Sequence, residues 1–314
     1  MIGSAHLLVA GRHVEEETTM RNVGEDSAMD VTDGAGTDGT PSVTSSVRLS
    51  GLPVRILNYL VKPRWWFEIA MIYGIYAVYS LIRNGVHDVE EKAFSNGQWI
   101  LDAEDRFGLA WERGLNTFLD TTPSVAAVCA VVYASLHFIV TPGTLVWLYV
   151  KHHRHYRFTS TVLILTTCLA LVGFYTLPTA PPRMFDGEGF VDIMAKTGTW
   201  GWWPESGTPA SDNISNQFAA MPSLHCAWAT FCGIVIVMYT KNHVVRVLGA
   251  LYPVLTYFVV MGTANHYLLD VVGGLVTLLV GFILAWLLRM AWRAYLARHL
   301  DPQIVTQLSA KGAA

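Results

Sequence analysis

Two histidines, an arginine and an aspartate stand at spacings that suit phosphoryl transfer. His266 and Asp270 are four residues apart, the separation that puts two side chains on one face of a helix. An Asp beside a His holds the imidazole in one tautomer and stabilises its cation while a bond forms at the other nitrogen. His266 is therefore a candidate nucleophile, with Asp270 as its orienting partner. Asp270 also interrupts an otherwise uncharged run from 247 to 288. Near the centre of a membrane helix a carboxylate costs about 2.5–3.5 kcal/mol on insertion scales, so such residues face the bundle interior with a partner.

A second element is Ala220-Met-Pro-Ser-Leu-His225. Pro222 and Ser223 read as a helix start, and the backbone N–H groups exposed at such a start bind phosphate. Ser223 thus becomes a phosphate-binding candidate, and His225, in the first turn, would stand beside the anion as a proton donor. The third element is Pro178-Thr-Ala-Pro-Pro-Arg183. Its prolines stop a helix, and Arg183 supplies a permanent cation with a planar donor fork suited to phosphate oxygens.

The elements that must position these residues are written in the charge pattern. The chain is 52% hydrophobic and 14% charged, against roughly 25% charged in an average soluble domain, which points to lipid as the solvent. Windows 121–150, 158–182, 213–240, 247–269 and 271–288 contain no Asp, Glu, Lys or Arg, and about 20 apolar residues cross a bilayer. A further span is expected at 66–82, with Glu68 and Arg83 at its interfaces. The expected fold is all-α, a polytopic membrane six-helix bundle. Its divisions are a disordered tail at 1–50, rich in Gly, Ser, Thr and Asp, a basic juxtamembrane segment at 51–65, a six-span catalytic domain at 66–292 and a C-terminal tail at 293–314.

Alternate connections are basic. Arg55, Lys62 and Arg64 precede the first span, Lys151, Arg154 and Arg157 follow the second, Lys241 and Arg246 follow the fourth, and Arg289, Arg293 and Arg298 follow the last. The positive-inside rule makes this side cytoplasmic, both termini included. The segments between them are acidic, with four basic and eight acidic residues in 83–123, and are expected outside. Arg183, His225 and His266 all fall at the outer ends of spans, by a count that ignores their chemistry. In the first outer segment Ile100, Ala103, Phe107, Trp111, Leu115 and Phe118 recur at spacings of three and four among charged residues, which predicts an amphipathic helix on the outer surface. In the second outer segment Trp200, Trp202 and Trp203 suit the headgroup level.

With the three motifs in hand, the stretch 66–288 resembles the type-2 phosphatidic acid phosphatase (PAP2) superfamily. That superfamily carries a Lys/Arg-Pro element, Pro-Ser-x-His and His-x-x-x-Asp. Pro-Thr-Ala-Pro-Pro-Arg, Met-Pro-Ser-Leu-His and His-Tyr-Leu-Leu-Asp are more closely similar to its inositol phosphorylceramide synthase-like, or inositolphosphotransferase-like, branch of bacterial membrane proteins. The resemblance implies that His266 forms a phosphohistidine, that Asp270 orients it, that His225 protonates the leaving oxygen and that Arg183 holds the phosphoryl group. Two superfamily cations are missing, because Thr176 stands in the lysine position and Val260 in the arginine position, and Leu224 replaces the usual glycine. Fewer cations disfavour the vanadate haloperoxidase relatives and fit a phosphodiester donor better than a phosphomonoester.

The expected activity is therefore phosphoryl transfer on a membrane lipid substrate at the outer face of the cell membrane. The acceptor is either a polyol such as inositol, giving a phosphotransferase, or water, giving a lipid phosphatase. A small transporter with His266 and Asp270 as a proton relay is the reading from another class, and it would predict inverted repeats, which the sequence does not display. No metal, organic cofactor or nucleic acid is called for. Cys129, Cys168, Cys226 and Cys232 lie in or beside apolar windows, where thiols pack as small hydrophobes. The three His of 151–157 fall on the side opposite the motifs and are expected to mark topology.

Overall fold

The computed structural model describes residues 89–198, 201 and 217–299, together with Trp66, Ala70, Tyr73, Gly74 and Ala77. The expected tail at 1–50, the segment 51–65, most of the expected span at 66–82, the three tryptophans at 200–203 and residues 300–314 lie outside the described residues.

Eight α-helices are present among the described residues: α1 Val89–Phe107, α2 Trp111–Thr121, α3 Pro123–Lys151, α4 His153–Thr176, α5 Ile193–Thr197, α6 Leu224–Tyr239, α7 His243–Gly262 and α8 Leu268–His299. Local chemistry sets their ends. Pro123 opens α3 in the first-turn position that needs no N–H partner. The Asn242 side chain accepts from Val244 N and Val245 N and caps α7. Pro178, Pro181 and Pro182 follow the end of α4 and turn the chain into a short 3-10 helix, Pro182–Met184.

Helices α3, α4, α7 and α8 have the length and apolarity to cross a membrane. α6 is equally apolar but has 16 residues, about 24 Å at 1.5 Å per residue. Only 28–39% of the most apolar stretch of each long helix is buried inside the protein, and Val247, Leu251 and Val254 on α7 and Val276, Leu279 and Ile283 on α8 are exposed. An apolar exterior of that extent belongs against lipid. The interior is packed by α6 along α7, α8 along α4 and α6, and α3 across α6, around Tyr133, Cys226 and Val260 toward one end and Leu163, Phe231 and Leu278 toward the other.

The fourth span starts where Pro222 and Ser223 are expected to begin it: Ser223 caps α6, and residues 217–223 stay irregular. Two sequence expectations change. His266 does not sit on the last helix. α7 ends at Gly262, and residues 263–267 form a turn in which the N–H groups of Asn265 and His266 both reach the Val260 carbonyl, so Asp270 lies in the first turn of α8 and His266 just before it. The outer amphipathic helix is two helices, broken at Gly108 with φ +67. Phe107, Trp111 and Phe118 are exposed, whereas Glu104, Glu112, Asn116 and Leu119 are buried.

Candidate active site

The three chemical elements converge because two irregular segments are tied together. Thr179 and Ala219 form an isolated parallel bridge, in which Thr179 N donates to Phe218 O and Ala220 N to Thr179 O. Helix α1 supports the pair from the side: Ala180 N donates to Ala93 O, and Asn96 Nδ2 donates to Pro178 O at 2.7 Å. The turn before α8 joins them through Tyr267, whose buried hydroxyl donates to Ala180 O at 2.7 Å. Arg183, Ala220, His225 and His266 thereby line one cavity of about 210 Å³, with Tyr133, Phe174, Leu224, Gln217 and Asn265 among its other walls.

His266 is 4% exposed. Its Nδ1 lies 2.9 Å from Ala220 O and 3.2 Å from Asp270 Oδ2. A backbone carbonyl only accepts, so Nδ1 carries the proton and Nε2 keeps its lone pair. Asp270 is fully buried, and its Oδ2 also accepts from Tyr267 N at 3.0 Å. The carboxylate thus ties the imidazole to the start of α8. The i, i+4 contact expected along a helix is made instead across a helix start.

His225 lies in the first turn of α6, with its ring 5.7 Å from that of His266 between centroids. It stacks on Tyr133 at 4.9 Å and meets His137 edge-on at 4.4 Å. Both of these residues come from α3. Ser223 is fully buried and is not among the residues lining the cavity. Its hydroxyl accepts from Cys226 N, and its backbone N–H donates to Asp270 O at 3.0 Å. Ser223 thus caps α6 and couples it to α8. Gly274 makes that coupling fit, since a Cβ there would collide with Ser223 O.

Among the described residues lining the cavity, Arg183 is the only Lys or Arg. Its side chain is 7% exposed and is held by Asn265 Oδ1 at Nε and by Asp192 Oδ2 at Nη1, both at 3.0 Å. Its backbone N–H donates to Ala264 O. Asp192 caps α5 through Ala195 N, so the guanidinium is fixed by two elements before any ligand arrives. At the two positions where the resemblance leads one to expect cations, Thr176 gives its carbonyl to Lys92 Nζ at 3.0 Å and Val260 is buried. The three histidines near 151–157 are elsewhere. His153 begins α4 and Phe174 at its other end lines the cavity, a separation of about 30 Å of helix.

Sequence reasoning missed His137, Tyr133, Gln217 and Asn265. His137 carried a signal, because an ionisable side chain in the middle of an apolar window invites a functional reading. Gln217 and Asn265 carried none. Glu104 and Glu112 were also missed as buried groups. Glu104 Oε1 accepts from Leu269 N at 2.7 Å, one residue from Asp270.

Comparison with protein families matches residues 98–284 to the PAP2 superfamily. Comparison with curated proteins and with solved structures gives no match. The matched stretch is more than half of the 314 residues, and the chain belongs to the PAP2 superfamily.

Proposed function

We propose that this PAP2-superfamily chain is an integral-membrane lipid phosphotransferase of the inositolphosphotransferase-like kind, working through a phosphohistidine at His266. Membership itself suggests lipid phosphatase or phosphotransferase activity. The observation that carries the finer reading is the locked tautomer of His266. With Nδ1–H committed to Ala220 O and Asp270 Oδ2, Nε2 is the atom left to attack phosphorus.

In the first half-reaction the Nε2 lone pair forms the N–P bond as the P–O bond to the lipid alcohol breaks. His225, protonated once the anionic substrate is bound beside it, gives its proton to the departing oxygen. The phosphorylated imidazole is cationic, and Asp270 balances that charge through Nδ1–H. In the second half-reaction neutral His225 takes a proton from the acceptor hydroxyl, whose oxygen attacks phosphorus while the N–P bond breaks. His266 returns to its starting state. Arg183 supplies one positive charge to the phosphoryl oxygens throughout.

The cavity wall supports a diester donor and an alcohol acceptor. One guanidinium already paired with Asp192 balances the single negative charge of a phosphodiester better than the two of a monoester. Gln217 adds a neutral amide, which suits the hydroxyls of a polyol. Phe174 and Leu224 add an apolar wall for the lipid portion. With water as acceptor the same steps give a phosphatase.

The test is to incubate the purified protein with a panel of phospholipids, with and without polyols such as inositol, and identify products. A phosphodiester joining the donor's headgroup to the polyol, formed with release of the lipid alcohol and dependent on the polyol, is expected, and His266→Ala should make neither this product nor phosphohistidine. Transfer to water alone, giving a free headgroup phosphate from a diester or inorganic phosphate from a monoester and unchanged by polyols, would leave the phosphatase. Label trapped on a residue other than His266 would overturn the assignment.

A further inference from the structure

Two carboxyl groups with no place in the steps above lie behind the active site. Glu104 on α1 and Glu112 on α2 are both fully buried. Glu104 Oε1 accepts from Leu269 N, but Glu104 Oε2 and both Glu112 oxygens have no donor among the described residues. Two buried carboxylates cannot satisfy one another, because neither can donate. A shared proton resolves this. With the proton on Glu104 Oε2, that oxygen donates to Glu112 while Oε1 stays free for the Leu269 N–H. Among the described residues, the cation acting on Glu112 is Arg113 on α2, which is engaged by Glu188 and Asp105. The other titratable groups that face it are Asp270 and the Tyr267 phenol, both at the start of α8.

We propose that Glu104 and Glu112 form a proton-sharing carboxyl pair that positions Asp270, and through it His266, by fixing the first turn of α8. The proposal rests on the reading of His266 as nucleophile. Its geometry is a short chain of contacts. Glu104 holds Leu269 N–H, Tyr267 N–H two residues back holds Asp270 Oδ2, and Oδ2 holds His266 Nδ1. The helices that carry the pair therefore do more than cover the outer surface; they pin the catalytic turn from below.

Electrostatics agree with the geometry. Burial pushes the Glu104 carboxyl up to about 9, and the hydrogen bond to Glu112 and its charge push the same way. Burial also raises Glu112, while the bond from Glu104 opposes that rise, as expected if Glu104 is the donor. At neutral pH the pair then holds its proton. Above about 9 the proton leaves, the carboxyl–carboxyl bond is lost and a second negative charge appears beside Asp270, so activity falls on the alkaline side.

Glu104→Gln keeps an oxygen for Leu269 N–H and an N–H for Glu112 but cannot ionise, whereas Glu104→Ala removes both contacts. Misplacement of a catalytic group costs on the order of 10²-fold, so Glu104→Ala should lower kcat by about that factor with KM little changed, and Glu104→Gln should stay within about threefold of wild type. The alkaline fall should vanish in Glu104→Gln. Infrared difference spectra between neutral and alkaline pH, which need no substrate, should show a protonated-carboxyl stretch that titrates near 9 in the wild type and is absent in Glu104→Gln. A Gln variant as impaired as the Ala variant, or one that keeps the alkaline fall, overturns the proposal. If the wild type turns over no lipid phosphate, the phosphotransfer reading fails separately, and the infrared titration still decides the pair: no such stretch refutes it, and a stretch lost with Glu104→Gln supports it.

Discussion

Asp270→Asn separates two jobs that a carboxylate can do for a histidine. In a triad where the carboxylate alone fixes the tautomer, replacing it with an amide costs about 10⁴ in kcat, because the imidazole flips its proton. Here the tautomer has a second guardian. Ala220 O lies 2.9 Å from Nδ1, closer than Asp270 Oδ2 at 3.2 Å, and a carbonyl cannot donate. Asn would keep one oxygen for Tyr267 N–H and His266 Nδ1–H, so what is lost is the charge on the acceptor. A hydrogen bond to a charged group contributes about 1.5–3 kcal/mol, and about 1.4 kcal/mol is tenfold in rate. The expected loss is therefore about 10–10²-fold in kcat, far short of the abolition expected for His266→Ala. Rapid-quench single turnovers with labelled phospholipid should show phosphohistidine formed more slowly but to the same extent. A loss as complete as that of His266→Ala, at an unchanged melting temperature, would mean that Ala220 O does not hold the tautomer. No loss at all would mean that Asp270 carries no charge in the step.

Two further outcomes are expected. His225→Ala should lose about 10²–10⁴-fold on a lipid-alcohol leaving group and recover part of that on a substrate whose leaving group needs no proton, measured as phosphohistidine formation. His266→Ala should recover nothing, and equal responses would contradict the division of roles. In a cysteine-free variant, a single Cys at Glu205 should react with an impermeant thiol reagent from outside the cell and one at His153 should not; the reverse labelling would put the cavity on the cytoplasmic side.

How much of this was legible depends on what each residue's neighbours do. The apolar windows translate into α3, α4, α6, α7 and α8 because lipid demands long uncharged runs, and that signal survives any error of a few residues. Helix ends are set by single hydrogen bonds and are less visible. Ser223 reads equally well as a cap and as a phosphate ligand until its hydroxyl is seen on Cys226 N. His266 and Asp270 at i, i+4 read as a helix face, and only the turn at 263–267 shows that the pair spans a helix start. A count of Asp, Glu, Lys and Arg passes over His137, so the residue packed edge-on against His225 looks like part of an ordinary span.

The amphipathic segment shows why the remaining error was systematic. Spacings of three and four put Ile100, Phe107, Trp111 and Phe118 on one stripe, and in water that stripe would turn inward. Gly108 breaks the helix at positive φ, so the phase is not continuous from α1 to α2. The stripe then divides, with Ile100 buried but Phe107, Trp111 and Phe118 exposed, while Glu104 and Glu112 are buried and Glu104 accepts from Leu269 N at the start of α8. Lipid accepts aromatic side chains at its boundary, so the apolar face needs no protein to cover it. The carboxyl groups are then free to face inward where a backbone N–H and a shared proton receive them. The buried face of these helices therefore mixes apolar residues, Ile100, Leu101 and Leu119, with the two carboxyl groups, and spacing of hydrophobic residues alone does not single out the chemically useful side.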